Sequence, residues 1–469
     1  MADPVLSTPL ENGTAQASAD ADSEQRTGLL QALLVTVEHF FGGFPRLFRS
    51  VSDPRQPALI TYPLPMVLAT GVLMFVLRLG ARRQVQHWLR GNAPSVAKFE
   101  ALFDVANCPH GDTLNYAYAR LAVDEVQEVV TGMVETLIRQ KVLYRYRLFD
   151  QYFLVVIDGT GVLTYPERHC PECLTRTQHG QTTYYHPVLE AKLVTACGWA
   201  FSLMTEFIEN PGAHPTKQDC ELKAFYRLAA RLKARFPRLP ICLLLDGLYA
   251  GGPTFALCTP YGWKYRVTLQ EGDLPSVQEE FRDRAALMPD HQVHLPPSGP
   301  VKLQQDFRWV NDIAYVDSQY REHTVAVLEC LETTQAPKAE PHPTRFKWIT
   351  NFAITAQTAP TLANQGGRLR WKMENEGFKV QKNGGYALEH PYSTHPIASK
   401  VFYLLLQIAH LIFQLLEARH LFRTAFPAGV GSARNLAHRL LEAWRNLRLS
   451  LLALRALFTQ QRQIRFDTS

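Results

Sequence analysis

Two stretches of this sequence are continuously apolar, and each leads directly into an aspartate. The first, YFLVVIDGTG, carries Asp158, and the second, LPICLLLDGLYA, carries Asp246. Apolar runs without polar alternation are typical of strands that are buried on both faces, as in parallel or mixed sheets covered by helices. The sequence therefore predicts an α/β fold in which two carboxylates lie at the ends of buried strands.

The segments around these runs complete a mixed sheet. Two strands that turn near Gly198 are predicted from VLEAKLVTACGWAFSLMTEFIEN, an amphipathic helix from KQDCELKAFYRLAARLKARF, and another strand from WKYRVTL. Short strands separated by proline-rich loops then predict an all-β insertion at 270–349. Helical patterns precede and follow this core.

Charge is distributed unevenly along the 469 residues. Residues 1–25 contain five acids and no base, whereas residues 417–469 contain nine arginines, no lysine and three acids. An arginine-rich end on a nearly neutral body favours a surface that faces phosphates, although solvated helix faces are the alternative. We therefore expect nucleic acid to be a partner.

Cysteine content and hydropathy indicate a compartment. Eight cysteines in a chain of this length, several in apolar runs, are typical of a reduced cytosolic protein. The apolar runs at 65–77 and 401–416 are shorter than the ~18 residues that a membrane-spanning helix needs. We expect both to be buried helices, with no membrane association.

Carboxylates at the edge of a buried sheet repel one another, which raises their pKa values. Mg²⁺ or Mn²⁺ would relieve this repulsion, because both ions prefer oxygen ligands. A third acid is expected in RWKMENEGFKVQKN, where Glu374 and Glu376 lie on different helical faces. Glu374 would share a face with Arg370, Trp371 and Phe378, while Glu376 would pair with Lys372 or Lys379 on the surface.

Three motifs in this order resemble a known family. VVIDGTG, LLLDGLYA and RWKMENEGFKVQKN are similar to the acidic motifs of DDE transposases of bacterial insertion sequences, in the branch with a ribonuclease-H-like core and a β insertion before the glutamate. The helix signature of that branch is Tyr, two residues, Arg, three residues, Glu, six residues, Lys. Arg370 and Glu374 match it, but Gly367 occupies the tyrosine position and Gln381 the lysine position, with Lys382 one place later.

The resemblance implies a function and a site. It implies Mg²⁺- or Mn²⁺-dependent cleavage and strand transfer at the inverted-repeat ends of an element, with Asp158, Asp246 and Glu374 as catalytic metal ligands. Arg370 and Lys382 would bind DNA, and the protein would act as a homodimer on element ends and target DNA in the bacterial cytoplasm, at the nucleoid. KQDCE at 217–221 and KNGGYALEH at 382–390 are also similar to segments of related transposases.

The resulting organisation is a ribonuclease-H-like mixed-sheet core, interrupted by the insertion and flanked by helical regions. Its predicted parts are a disordered acidic tail at 1–25, a helical DNA-binding region at 26–150, the two parts of the catalytic core at 151–269 and 350–400 around the insertion at 270–349, and an arginine-rich helical region at 401–469.

A second cluster of chemically active residues lies in HCPECLTRTQH. His169, Cys170, Cys173 and His179 have the pattern of a zinc knuckle, because thiolates and imidazoles suit tetrahedral Zn²⁺. The motif predicts a structural zinc site, and the alternative is an ordinary loop with reduced cysteines.

Other interpretations stay open at this level. The chain can be a related nuclease that hydrolyses DNA without strand transfer, or a DNA-binding derivative with an inactive core. In the insertion, Trp348 and Trp309 can stack against a displaced base, and we assign Trp348 to DNA binding on this ground. The alternative is that both tryptophans pack the small core of the insertion.

Overall fold

The computed structural model describes residues 11–212, 215–299, 302–334, 343–418 and 431–448, with side chains from residue 25 onward. The chain forms two compact units, one comprising Leu137–Val380 and the other formed by the chain on either side of it. The boundaries at 136/137 and 380/381 differ from those predicted at 150 and 400.

The described helices are spread over both units, and the strands lie in the Leu137–Val380 unit. The helices are α1 (Glu11–Phe41), α2 (Gly43–Leu47), α3 (Leu64–Val76), α4 (Arg82–Trp88), α5 (Ala93–Phe103), α6 (Gly111–Tyr118), α7 (Val123–Arg139), α8 (Glu221–Arg235), α9 (Gly252–Tyr261), α10 (Pro275–Leu287), α11 (Ala359–Thr361), α12 (Lys379–Asn383), α13 (Pro396–Glu417) and α14 (Ala433–Asn446). The strands are β1 (Phe153–Tyr165), β2 (Leu174–Gln178), β3 (Gln181–Val194), β4 (Ala200–Phe207), β5 (Ile241–Leu245), β6 (Lys264–Thr268), β7 (Gln292–Ser298), β8 (Leu303–Val316), β9 (Glu322–Thr334) and β10 (Pro343–Thr350).

One mixed sheet of ten strands organises the Leu137–Val380 unit. Its order is β2-β3-β1-β5-β6-β10-β9-β8-β7, and β4 pairs with β3 on the side of that path. Strand β1 is antiparallel to β3 and parallel to β5, which is parallel to β6. All five residues of β5 are buried, as expected for a central parallel strand covered on both faces. The predicted α/β class with a mixed sheet is confirmed.

The prediction of an all-β insertion at 270–349 was wrong, because the segment contains helix α10. This helix buries Val277, Phe281 and Ala285, whose spacing of four is the signature of an amphipathic helix. The strands of the segment also continue the main sheet, since β10 is antiparallel to β6. Local periodicity identifies strands but not their partners, which are set by pairing between distant segments.

The segment that carries Glu374 is not a regular α-helix. A π-helical stretch at Leu362–Gly366 leads into a 3₁₀ turn at Gly367–Arg370, and a second π-helical stretch spans Met373–Phe378. Met373 and Phe378 are buried in the core formed with β1 and β5. π-Helical turns inside helices are frequent at functional sites.

Two glycines let this segment lie close to the sheet. A Cβ atom at Gly367 would lie 2.5 Å from the Trp348 ring, and one at Gly377 would lie 3.3 Å from the side chain of Lys192. The position that holds tyrosine in the family signature therefore has no room for a side chain here. Lys192 is buried in an ion pair with Glu190 (3.0 Å).

Helix α13 is a buried helix of the unit that the chain forms on either side of Leu137–Val380. In the described residues it is the one helix long and apolar enough to cross a membrane, but 78% of its most apolar window is buried. The shorter apolar helix α3 is also buried almost throughout. Both match the prediction of buried core helices.

The ends of the chain differ in part from expectation. Residues 1–10 of the predicted disordered tail lie outside the described residues, but from Glu11 onward the tail belongs to helix α1. Alanines and early acids in this stretch favour helix formation. Of the arginine-rich region, 419–430 and 449–469 lie outside the described residues. The C-terminal end of helix α14 is held by Lys98 of α5. The ammonium of Lys98 donates hydrogen bonds to the carbonyls of Trp444 and Leu447, both at 2.7 Å.

Candidate active site

Asp158 and Asp246 lie at the same level of two neighbouring parallel strands. Val156 of β1 pairs with Leu244 of β5, and two further residues along each chain lead to the aspartates. Asp246 follows β5 directly, whereas Asp158 lies inside β1, which continues to Tyr165 beside β3. The predicted position at a strand end is therefore correct for Asp246 only. For Asp158, it is the pairing with β5 that ends, not the strand.

The electrostatic environment of Asp158 is strongly perturbed. Burial raises the pKa of Asp158 to about 6; the Arg370 guanidinium opposes this rise, and the charges of Asp246 and Glu221 add to it. Arg370 Nη1 lies 3.5 Å from Asp158 Oδ2. Carboxylates with perturbed pKa values that interact with one another are typical of functional sites.

Asp246 also has a structural role. Its carboxylate Oδ1 accepts a hydrogen bond from the backbone N–H of Leu248 at 3.0 Å, which caps the 3₁₀ turn Gly247–Tyr249. Such capping is the usual role of an aspartate after a strand. Here the capping aspartate also contributes to the raised pKa of Asp158, so Asp246 belongs to the acidic cluster as well.

Glu221 is a site residue that the sequence interpretation did not assign. It is the first residue of α8, and burial raises its pKa, while a hydrogen bond from the Tyr249 hydroxyl at 2.7 Å lowers it and the charge of Asp246 raises it. A Cβ atom at Gly159 would lie 2.5 Å from Glu221 Oε2. The glycine after Asp158 thus leaves room for a third carboxylate. The feature of the sequence that could have identified this residue is KQDCE, whose last residue is Glu221.

Glu374 is exposed in the second π-helical stretch. Phe378, predicted to share its face, is buried instead, because the π-helical geometry changes the spacing of side chains along the segment. Glu376 pairs with Lys372 at 3.1 Å, as predicted. Among the described residues, the His, Cys, Asp and Glu side chains grouped closely enough to share one ion do not include Asp158, Asp246 or Glu374.

The cationic residues of the motif differ in their surroundings. Arg370 contacts Asp158 and also lies 5.0 Å from the ring of Trp371, which is 53% exposed. Lys382, in the other unit, pairs with Glu389 at 3.0 Å. Gln381, at the lysine position of the family signature, is buried and donates a hydrogen bond to Gln407 at 2.8 Å.

The two tryptophans considered for base stacking are buried. Trp348 and Trp309 are 2% and 3% exposed and belong to the apolar core of the sheet. The alternative of core packing therefore describes both residues. Arg266 lies over the ring of Trp348 at 4.6 Å, which closes that side of the tryptophan as well. The assignment of Trp348 to DNA binding is wrong for this conformation, because a base cannot reach a covered ring.

The zinc-knuckle motif is assembled with one change of ligand. His169, Cys170, Cys173 and His186 place their ligand atoms within 4.8 Å of one another. His186 takes the place of His179, which lies in the exposed turn between β2 and β3 with φ of 50°. The strands of this hairpin carry His179 away from the cysteines and bring His186 of β3 towards them.

A cleft of about 490 Å³ lies beside β6 and β10, and its lining includes Arg282, Arg345 and Lys347. It also includes Gln270, which packs near Gly247, the residue after Asp246. With these three cations and one acid, Glu271, in its lining, the cleft has a net positive charge, and it lies close to the loop that follows the second aspartate.

No protein-family model matches the chain, and no curated protein matches it either.

Proposed function

We propose that this protein is a DDE-type transposase that cleaves and joins DNA strands with a divalent metal ion. The observation that carries the proposal is the adjacency of Asp158 and Asp246 on parallel strands, with Glu221 and Arg370 beside them. The order of the three acidic motifs along the chain supports it further, because it matches the order in that family.

Strand topology supports a ribonuclease-H-like core in the proposal. Strands β1, β3 and β4 are antiparallel neighbours, and β5 and β6 then follow parallel to β1 on its other side. Helix α8 connects β4 with β5 along the chain. In this scheme the strands β7–β10 and helix α10 are the insertion that precedes the glutamate.

The donor atoms fit a hard divalent cation. Asp158, Asp246 and Glu221 offer carboxylate oxygens only, which Mg²⁺ and Mn²⁺ prefer. Bound ions would activate a water or a DNA 3′ hydroxyl and stabilise the leaving oxygen in phosphodiester displacement. Asp158 and Asp246 would hold the ions with Glu374, and Glu221 would contribute a further carboxylate or orient the others.

The residues around the acids have roles of their own. Arg370 partly compensates the charge of Asp158, and it can turn to a DNA phosphate once another cation compensates that aspartate. Trp371 is the exposed aromatic beside it and offers a face on which a base can stack. Glu376 is assigned to surface pairing with Lys372, which leaves Glu374 as the acid of the motif.

DNA contacts are proposed on three surfaces. They are the basic cleft with Arg282, Arg345 and Lys347, the N-terminal helices, and the arginine-rich C-terminal region. Lys382 keeps its proposed role near the end of the motif. Two copies of the chain would hold two element ends in the bacterial cytoplasm.

One observation favours a second candidate, a related nuclease without strand transfer. Asp158, Asp246 and Glu221 interact electrostatically without Glu374, and hydrolysis needs only the ion-holding acids. The third interpretation, an inactive DNA-binding derivative, would not require the carboxylates.

The deciding experiment uses a labelled DNA that carries the inverted repeats flanking the gene, together with a supercoiled target. A transposase releases the ends and joins them to the target in Mg²⁺ or Mn²⁺, and Asp158→Ala and Asp246→Ala abolish both steps while DNA binding survives. Cleavage without joined products would identify the nuclease. Cleavage by either variant, or in excess chelator, would disprove this active site.

A further inference from the structure

We propose that His169, Cys170, Cys173 and His186 bind one structural Zn²⁺ ion. This ion would hold together the antiparallel strands β1, β2 and β3, and it would thereby position Asp158 of β1. The ligands come from the loop between β1 and β2 and from the middle of β3. This proposal does not depend on which reaction the acids catalyse.

The four ligand atoms lie close enough to one another to share a single metal ion. Cys170 Sγ and Cys173 Sγ lie 3.0 Å apart, and His186 Nε2 lies 3.2 Å from both sulfurs. His169 Nδ1 lies 3.2 Å from Cys173 Sγ. Ligands of a tetrahedral zinc lie about 3.4–3.8 Å apart for ordinary Zn–S and Zn–N bonds. The two sulfurs would therefore move apart by about 0.8 Å, and each sulfur–nitrogen pair by a few tenths of an ångström, to admit the ion.

The chemistry of the ligands selects zinc over harder cations. Two thiols and two imidazoles form the Cys₂His₂ set of structural zinc sites, and carboxylates, which Mg²⁺ prefers, are absent from the set. Both cysteines are buried, as in closed structural sites. A disulfide between Cys170 and Cys173 is the competing arrangement, but it would not explain why two imidazoles lie against the sulfurs.

The fold places this cluster on the strand that carries Asp158. His186 pairs with Leu163 of β1, whereas Asp158 pairs with Glu190 further along the same two strands. Between these pairs the register shifts at a bulge, at Gly161/Leu163. Bulges interrupt the ladder of hydrogen bonds, so a zinc ion beyond the bulge would keep the two strands in register.

The same cluster connects to the segment that begins α8. Asn210 donates a hydrogen bond to the Cys173 carbonyl at 2.8 Å and accepts one from the Asp219 N–H at 3.1 Å. Gln218 accepts from the Thr175 N–H at 2.6 Å and donates to the Thr175 carbonyl at 3.1 Å. These bonds link the segment around Cys173 and Thr175 to KQDCE, which ends in Glu221. A zinc ion would therefore support two acids of the active site from one side.

The first test measures bound metal in the purified full-length protein. The wild-type chain should hold about one zinc per chain after dialysis, and cobalt substitution should produce the visible absorption of tetrahedral thiolate coordination. His186→Ala and Cys173→Ser should lose most of this metal. His179→Ala is the matched control, since His179 belongs to the same hairpin and should retain full zinc.

A conservative variant separates metal binding from folding. His186→Cys creates a Cys₃His set and should restore zinc, whereas His186→Ala should not. Zinc-free wild-type protein, full zinc in His186→Ala, or a Cys170–Cys173 disulfide found by mass spectrometry would overturn the proposal.

The positioning role has its own measurement. The backbone amides nearest the cluster are those of 163–165 in β1 and 181–186 in β3. They should exchange hydrogen at least about tenfold faster in His186→Ala than in His179→Ala, and His186→Cys should restore their protection. Unchanged exchange in a zinc-free variant would refute the fastening of the hairpin. If zinc is found but DNA cleavage is not, the zinc site stands and the proposed function fails.

Discussion

Arg370 Nη1 lies 3.5 Å from Asp158 Oδ2, and this contact joins the first acidic motif to the third across more than two hundred residues of chain. The arginine lowers the pKa of an aspartate that burial raises to about 6. Arg370 therefore compensates part of the charge of this buried carboxylate.

Arg370→Ala should shift the pH dependence of cleavage upward. Removing the guanidinium takes away the influence that lowers the pKa of Asp158, so the carboxylate should ionise above pH 6 and activity should appear at higher pH than in the wild type. The pH profile of cleavage by Arg370→Ala measures this. Arg368→Ala, whose guanidinium pairs with Glu332, is the control and should leave the profile in place.

Asp158→Asn should stabilise the metal-free protein at pH 8. Because the folded-state pKa is raised from 3.8 to about 6, the stability associated with the protonated form is present below pH 4 and lost as pH rises through 6. Two pKa units correspond to roughly 3 kcal/mol at most, and this figure already includes the favourable pair between Asp158 and Arg370. Thermal unfolding with and without Mg²⁺ measures it: Mg²⁺ should stabilise the wild type and not the variant. A lower melting temperature for the metal-free variant would contradict the prediction.

Glu221→Gln should reduce metal-dependent cleavage at least about a hundredfold, because the variant loses a carboxylate that interacts with Asp246. Tyr249→Phe removes only the hydroxyl that donates to Glu221 and should cost less than about tenfold. Single-turnover cleavage rates compare the two. Equal rates in Glu221→Gln and wild type would show that this carboxylate serves the fold alone.

Glu374→Gln should abolish cleavage, whereas Glu376→Gln should lose only a surface pair with Lys372 worth a few tenths of a kcal/mol. The two substitutions have the same chemistry within one π-helical stretch, so each controls for the other. Cleavage in saturating Mg²⁺ distinguishes them. Loss of activity in Glu376→Gln alone would reverse the assignment.

Charge reversal in the basic cleft should weaken DNA binding and its dependence on salt. Arg282→Glu with Arg345→Glu removes two cations that can neutralise phosphates, so the slope of log affinity against log salt should fall by about two. Fluorescence anisotropy over a salt series measures this slope. Arg235→Glu at the end of α8, outside the cleft, is the comparison, and an equal loss there would point to general charge instead.

Local sequence patterns predicted much of the core of the sheet. Continuous apolar runs identified β1 and β5, and an amphipathic period identified α8, because each pattern reflects the burial of neighbouring residues. They also located Asp158 and Asp246. The turn at Gly198, with φ of 98°, followed from glycine between two apolar strands.

Contacts between distant segments decided the rest. The pairing of β10 with β6 joined the proposed insertion to the main sheet, and packing of Gly367 against Trp348 explains why tyrosine is missing from the signature. Neither contact has a local pattern, since each joins residues that are far apart in sequence. The same is true of the buried environment of Trp348.

The sequence by itself determined which segments form strands and helices and which of them carry acids, thiols and imidazoles, because these properties depend on a few neighbouring residues. Only the tertiary structure decided that Glu221 joins the two aspartates, and that His186 lies with the cysteines where His179 was expected. Strand register and helix placement set these partners, and they arise from burial and hydrogen bonding over the whole unit.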